Sequence, residues 1–408
     1  MIKRSVLKLQ AHYRQLYGFI FAIYLTSVTL QTTTFNVMIP HKLGILVELT
    51  TLAALLLLMV GSTALTPLQI IGEVSLLALV ALVTVTAGAH YLMPTVVLVL
   101  AARNVPFRQI LRIYVGVVGI ILLLAFIAAE VGLIKNITFV TDSGVRQSFG
   151  VVYTTDFAAH IFYLCAAYLY LLARHFRPIA LIPVFLGLVV IYQYTQTMTD
   201  TLALLILIGL YLIYVYRRRL RWSGLSLRYN FLVLPIASAL IIGLSNIFNY
   251  QDKLLVTLND ALSTRLALGN NALLAYGVKV FGQGPIPING WGGDRVTTFT
   301  NGVGDATYFF IDASFLNMLI AYGVLFTIVV IAGITWFLYR RTRHHDYLLP
   351  AIFAAIAISS MFDQHFLEVT YNVFILMLFA DLPRYHTAVG PAFDQPIVSL
   401  RGRAADEY

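Results

Sequence analysis

The stretch QILRIYVGVVGIILLLAFIAAEV, Gln109 to Val131, holds one arginine near its start and one glutamate near its end, with an almost wholly apolar run between them. A run of about 20 such residues crosses a ~30 Å hydrocarbon core as a helix. A membrane barrel would show short alternating segments instead. Working outward, similar runs span Tyr17 to Met38, Leu43 to Gly61, Gln69 to Thr86, Ala89 to Ala102, Thr154 to Ala173 and Ile179 to Thr197. They continue over Thr201 to Tyr216, Tyr229 to Ile247, Ala313 to Tyr339, Tyr347 to Met361 and Phe366 to Asp381. The first is too long for a signal peptide, and no small-residue cleavage site follows it. The expected fold is therefore an all-α polytopic membrane protein with about twelve transmembrane helices.

Composition agrees. Of 408 residues, 60% are hydrophobic and 11% charged, against about 25% charged in an average soluble domain. A soluble fold cannot hide that much apolar surface. The single cysteine, Cys165, excludes an intramolecular disulfide and a thiolate zinc cluster. It reads as a small buried hydrophobe.

The basic residues orient the chain. With the N-terminus inside, 20 of the 27 lysines and arginines fall in cytoplasmic segments, among them Arg103, Arg108, Arg217 to Arg219, Arg340 and Arg341. Seven remain outside: Lys42, Lys135, Arg146, Lys253, Arg265, Lys279 and Arg295. This is the positive-inside pattern. It accounts for most of the net charge of +9 without any nucleic-acid partner. Both termini are expected inside, in one membrane domain over residues 1–408 with a cytoplasmic tail at 382–408.

Two outer segments exceed what a turn needs, Leu133 to Tyr153 and a larger loop at 248–312. The larger loop, between the ninth and tenth spans, opens with an amphipathic stretch, Lys253 to Val280, expected to lie on the membrane surface. FGQGPIPINGWGG follows at Phe281 to Gly293, a glycine-rich turn expected to gate an outer cavity. No internal repeat suggests an inverted-repeat transporter.

Arg146 in RQSFG and Arg265 in RLALG each precede a glycine by four residues, one in each long outer segment. Arginine grips phosphate oxygens in a planar fork and stays charged, and glycine lets backbone approach a ligand. The pattern is short enough to arise by chance or to serve a lipid headgroup. Asp156 and His160 share a helix face. Asp200 marks a turn, Asp312 opens a span, and Asp363, His365 and Glu368 cluster with Tyr371 and Asn372 close by. A charge at the bilayer centre costs ~2.5–3.5 kcal/mol, so interfacial solvation explains any one of these residues. Together they suit acid–base chemistry on a diphosphate. Glu48 and Glu73 lie inside spans, near enough their starts to reach an interface. No metal-ligand spacing stands out.

The arrangement resembles the bacterial polysaccharide repeat-unit polymerases of the Wzy type, relatives of the O-antigen ligases. The similarity covers most of the chain in layout. It rests locally on RQSFG followed by TTDFAAH, on LNDALSTRLALG running into YGVKVFGQGP, and on IDASFLNMLIAYGVLF at Ile311 to Phe326. Where many members carry Pro-Asn, this chain has Thr154, Thr155 and Asp156. The resemblance implies a GT-C-like glycosyltransferase of the bacterial cytoplasmic membrane that polymerises undecaprenyl-diphosphate-linked oligosaccharide into exopolysaccharide at the outer face. Arg146 and Arg265 would stabilise the leaving diphosphate. Asp156, His160, Asp312, His365 and Glu368 are candidates for positioning the acceptor or taking its proton. Arg295, Tyr276, Lys279, Tyr371 and Asn372 are candidate substrate contacts. No cofactor, nucleotide or metal is expected. The partners would be membrane lipids, a flippase and a chain-length regulator. A ligase-like transferase, or a lipid-linked oligosaccharide flippase, are the competing readings.

Overall fold

The computed structural model describes residues 2–62, 65–141, 144–173, 176–216, 227–286 and 309–382. The chain is an all-α polytopic membrane protein. Among the described residues, eight helical stretches are long and apolar enough to cross a membrane: Lys42–Met59, Pro67–Ala87, Phe107–Glu130, Thr154–Leu172, Pro178–Thr195, Met198–Tyr216, Asn230–Ile247 and Val324–Arg343. Their flanks carry exposed leucine, isoleucine and valine, as at Leu57, Leu68 and Val85. In water such faces would drive association; in acyl chains they are at home.

The regular elements run as follows. Helices α1 (Ile2–Gln31), α2 (His41–Ser62), α3 (Pro67–Ala87), α4 (Leu92–Ala101) and α5 (Phe107–Glu130) come first. A hairpin of β1 (Thr138–Thr141) and β2 (Gly144–Gln147) precedes α6 (Thr154–Leu172), α7 (Ile182–Val190) and α8 (Met198–Tyr216). Then come α9 (Val233–Ile247), α10 (Lys253–Ala261), α11 (Arg265–Tyr276), α12 (Ser314–Asn317), α13 (Val324–Arg343) and α14 (Leu348–Ser359). Helix α1 packs on α2 and α5, α5 on α6, α6 on α8, α8 on α14, and α14 on α9. Helices α2 and α3 flank α4, and α11 and α13 pack on α9. Helix α14 reads LLPAIFAAIAIS and is buried almost throughout, as a helix that is apolar all round should be. Its proline sits in the first turn, where no intrahelical N–H is lost.

Three expected spans take a different form. Phe366 to Asp381 is not an α-helix. Its backbone forms short 3-10 turns at His365–Leu367 and Val373–Leu378, with the Asn372 side chain accepting from the Phe374 N–H. This segment is threaded through the bundle against α4, α5 and α6. Non-helical backbone is tolerated at membrane depth when protein surrounds it, and Phe366, Val373, Phe374 and Leu376 are completely buried. Ala313 to Tyr339 breaks at Gly323, between a π-helical turn (Met318–Tyr322) and α13. Gly323 has φ +92°, and a Cβ there would lie 2.2 Å from the Gly282 nitrogen. Ile179 to Thr197 is made of a 3-10 turn, α7 and a π-helical turn at Ile191–Thr195. The ten-residue α4 rises only ~15 Å, about half a bilayer core.

The outer segments also differ from expectation. Leu133 to Tyr153 holds the β-hairpin, with Phe139 paired to Arg146. Lys253 to Val280 is two helices, not one, because Ser263 and Thr264 take positive φ. In the second of them Leu266, Ala267, Gly269 and Ala272 are buried within the protein while Leu274 is exposed. Residues 287–308, with Arg295 and most of the glycine-rich turn, lie outside the described residues, as does the tail from residue 383.

Candidate functional site

The site lies at one end of the bundle, far from the end where Tyr13 bonds the Ala101 carbonyl (2.6 Å) and Arg14 the Asn104 carbonyl (2.7 Å). Chain segments from four parts of the sequence are sewn together here. The Thr34 N–H donates to Gly150 O (2.8 Å) and the Val152 N–H to Thr32 O (3.0 Å), tying the end of α1 to the start of α6. The Ser314 N–H donates to Ser360 O (3.1 Å) and Asp363 O (3.2 Å), tying α12 to the connector after α14.

Arg146 projects from β2, and its Nε donates to Thr195 O at the end of the π-helical turn (2.8 Å). Arg265 opens α11. Its Nε donates to Phe362 O (3.1 Å), its Nη1 to Ser263 O (3.0 Å), and its Nη2 lies 3.6 Å from Asp312 Oδ2. The two guanidinium groups line one cavity of about 330 Å³ with Tyr153, Thr155, Thr197, Thr199 and Asp312. Burial pulls the Arg146 pKa below its ordinary value; Tyr153 opposes that shift and Arg265 adds to it. A cavity that holds two cations close together gains most from an anion.

The glycines of the two RxxxG elements do something other than expected. A Cβ on Gly150 would lie 2.6 Å from the Ala125 carbonyl of α5, and one on Gly269 would lie 2.6 Å from both Leu316 Cδ1 and Ser245 Oγ. Both let helices and loops pack closely. They set where each arginine starts from rather than admitting a ligand.

Beside this cavity lies a buried acid–histidine cluster. His365 Nε2 is 3.5 Å from Asp156 Oδ1 and 3.4 Å from Asp363 Oδ1, while Nδ1 pairs with Glu368 Oε2 at 3.2 Å. The ring stacks on Tyr371, centroids 3.6 Å apart, and Tyr371 stacks in turn on His160 at 4.1 Å. His160 Nε2 meets Thr32 Oγ1 at 2.9 Å. The carboxylates sit on both sides of the His365 ring, so they do not converge on one point. Among the described residues no group of three or more His, Cys, Asp or Glu is arranged to hold a metal ion. Asp156, Asp200, Asp312, Asp363 and Arg265 all line the narrow space joining the cluster to the arginine cavity.

Asp363, in the connector after α14, is pushed up to about 8, chiefly by burial. His365 pulls it down, while Asp200, Asp156 and Glu368 push it further up. Such a carboxyl binds its proton more tightly folded than unfolded, where its pKa is ~3.9. Stability from this group is therefore complete below about pH 4 and is lost as pH rises through about 8. The apparent unfolding temperature of the purified protein should fall over that range. Asp363→Asn should flatten the fall, and an unchanged slope in that variant would remove Asp363 as its source.

A second cavity of about 630 Å³ lies on the other side of the cluster, lined by residues of α1, α2, α4 and the segments at 309–322 and 364–371. Asp156 and Gln364 line both spaces. Two larger cavities, of about 760 and 1000 Å³, are mainly apolar grooves on the bundle's flanks, one among α5, α6 and α7 and one between α1 and α2. Neither contains the charged cluster.

The structure thus brings together Arg146, Arg265, Asp156, Asp312, His365, Glu368 and Tyr371. His160 supports the stack and lines neither cavity. Asn372 is used structurally, donating to Phe366 O (2.7 Å) as well as capping Phe374. Tyr276 packs against Phe309 (6.0 Å) and Lys279 is exposed; neither lines a cavity. Glu73 pairs with Arg103, and Glu48 accepts from Gln31 Nε2 (3.0 Å). Glu73 therefore has a local counter-ion. Tyr153, Gln364 and Gln31 join the site without a sequence signal, because each depends on a contact between distant segments. Scans of protein-family models and searches of curated proteins and of solved structures find no match to this chain.

Proposed function

We propose that this chain polymerises oligosaccharide repeat units carried on a lipid diphosphate, working at the outer face of a bacterial cytoplasmic membrane. One observation carries the reading: Arg146 and Arg265 share a cavity that adjoins a buried carboxylate–histidine cluster. The site end is assigned to the outside because Arg103, Arg108, Arg340 and Arg341 gather at the opposite end. Both the donor's lipid and the catalyst must then sit in one membrane.

In this reaction the acceptor's hydroxyl oxygen bonds to the anomeric carbon of the donor glycan. The bond from that carbon to the diphosphate oxygen breaks, and the lipid diphosphate leaves with the electron pair. The hydroxyl proton passes to a carboxylate. Asp156 is the proposed acceptor of that proton, since it lines both the second cavity and the narrow space that leads to the arginine cavity. The two guanidinium groups meet the charge that builds on the diphosphate. A glycosyl diphosphate donor carries its own driving force, since the intact lipid diphosphate is a good leaving group, so no nucleotide enters.

Deleting the gene tests the reading. Single repeat units should accumulate on lipid diphosphate at the outer face. Accumulation at the inner face would indicate a flippase instead. Full-length polymer left on its lipid carrier would indicate a ligase.

A further inference from the structure

The two cavities differ in electrical character, and that difference suggests a second ligand. The arginine cavity holds both cations. The 630 Å³ cavity is lined by Glu48, Glu368 and Asp156 and, among the described residues, by no lysine or arginine. A diphosphate would be repelled there. Its wall holds both donors and acceptors: the amides of Gln31 and Gln364 and the carboxylates of Glu48 and Glu368. A hydroxyl group both donates and accepts, so it uses such a lining fully; a cation would use the acceptors alone. The Tyr91 and Tyr322 hydroxyls meet at 2.7 Å, and the two rings supply an apolar and polar face together. A further observation points inward. His365 lines this cavity and is 2% exposed, and its Nε2 meets hydrogen-bond geometry with neither of the carboxylates 3.5 and 3.4 Å away, Asp156 and Asp363.

We propose that this second cavity binds an uncharged, hydroxyl-rich sugar, the acceptor end of the incoming chain. The proposal rests on the transferase reading for the word acceptor; the sugar site itself stands on the lining. The partition formed by Asp156, Gln364 and His365 then lies between acceptor and donor. A hydroxyl approaching it would meet the His365 ring and the Asp156 carboxylate beside it.

The test uses the full chain, purified in lipid nanodiscs, and two probes. One is a neutral oligosaccharide released by partial hydrolysis of the cell's own surface polysaccharide; the other is inorganic pyrophosphate. Affinities are read by titration calorimetry. Glu48→Ala should weaken oligosaccharide binding about tenfold, as loss of a charged hydrogen-bond acceptor would, and leave pyrophosphate binding unchanged. Arg146→Ala should do the reverse. Glu48→Gln and Tyr322→Phe give milder changes of shape should Glu48→Ala fail to fold, and each should weaken the oligosaccharide alone. The assignment is overturned if wild-type protein binds no oligosaccharide, if the Glu48 and Tyr322 variants bind it normally, or if Arg146→Ala abolishes it. Tenfold loss in Glu48→Ala, in a cell whose deletion strain still makes full-length polymer, would keep the sugar site and remove the polymerase.

Discussion

If the proposed polymerase reading holds, Arg265→Ala should leave the protein in the membrane and lower polymer formation about 10²–10³-fold, the usual cost of removing one donor to a developing oxyanion. Arg265 is the better of the two arginines for this experiment. It holds Phe362 O through Nε and Asp312 through Nη2, so it links the arginine cavity to the connector that carries Asp363. Arg265→Lys keeps the charge but not the fork. It cannot hold Phe362 O and a phosphate oxygen at once, and its activity should stay well below wild type. Polymer length on a gel, set against membrane-fraction protein, reads both variants. A fully active lysine variant would defeat the argument from planar geometry. Loss of the protein from the membrane fraction in both would assign Arg265 a purely architectural role.

Gly323→Ala should be still more damaging, by a different route. Gly323 and Gly282 each have positive φ, and a Cβ on either would run into the other's neighbourhood, 2.2 Å from Gly282 N in one case and 2.5 Å from Ala321 O in the other. A non-glycine residue in that conformation costs ~1–3 kcal/mol before any clash is counted. The clash is with backbone, which cannot turn aside. Gln283 secures the same junction, its side chain donating to Ile320 O (2.8 Å). The expected outcome is a large drop in folded protein on size-exclusion chromatography after solubilisation. Gly284→Ala is the control: it has ordinary φ, nothing lies within 4 Å of its would-be Cβ, and it should behave as wild type. Equal yields from the two variants would refute the packing argument.

Much of this architecture is legible from the residues. Apolar length alone finds spans such as Phe107–Glu130, because a bilayer demands it whatever the tertiary fold. What fails is the assumption that every apolar run is one straight helix. Phe366 to Asp381 is as apolar as a span, yet the Asn372 side chain gives the backbone local partners at Phe366 O and Phe374 N–H, and the neighbouring helices give the rest of the segment cover. Gly323 interrupts another run where its lack of a side chain is needed. The arginine pair could be anticipated from charge and placement; their glycines were misread because helix contact is invisible along the chain. Asp363 stood in an evident acidic cluster. Its importance beside His365 emerges only once α14 and α6 are side by side.

The threaded segment has a consequence for how the protein is made. His365, Glu368 and Tyr371 leave the ribosome after every other group of the cluster, on a stretch with little capacity to form a helix of its own. It can settle only into a slot that the earlier helices have already built. A nascent chain halted at Gln364 would own both guanidinium groups and lack the imidazole they adjoin. Translation order thereby leaves the charged cluster unfinished until the final pass through the bundle.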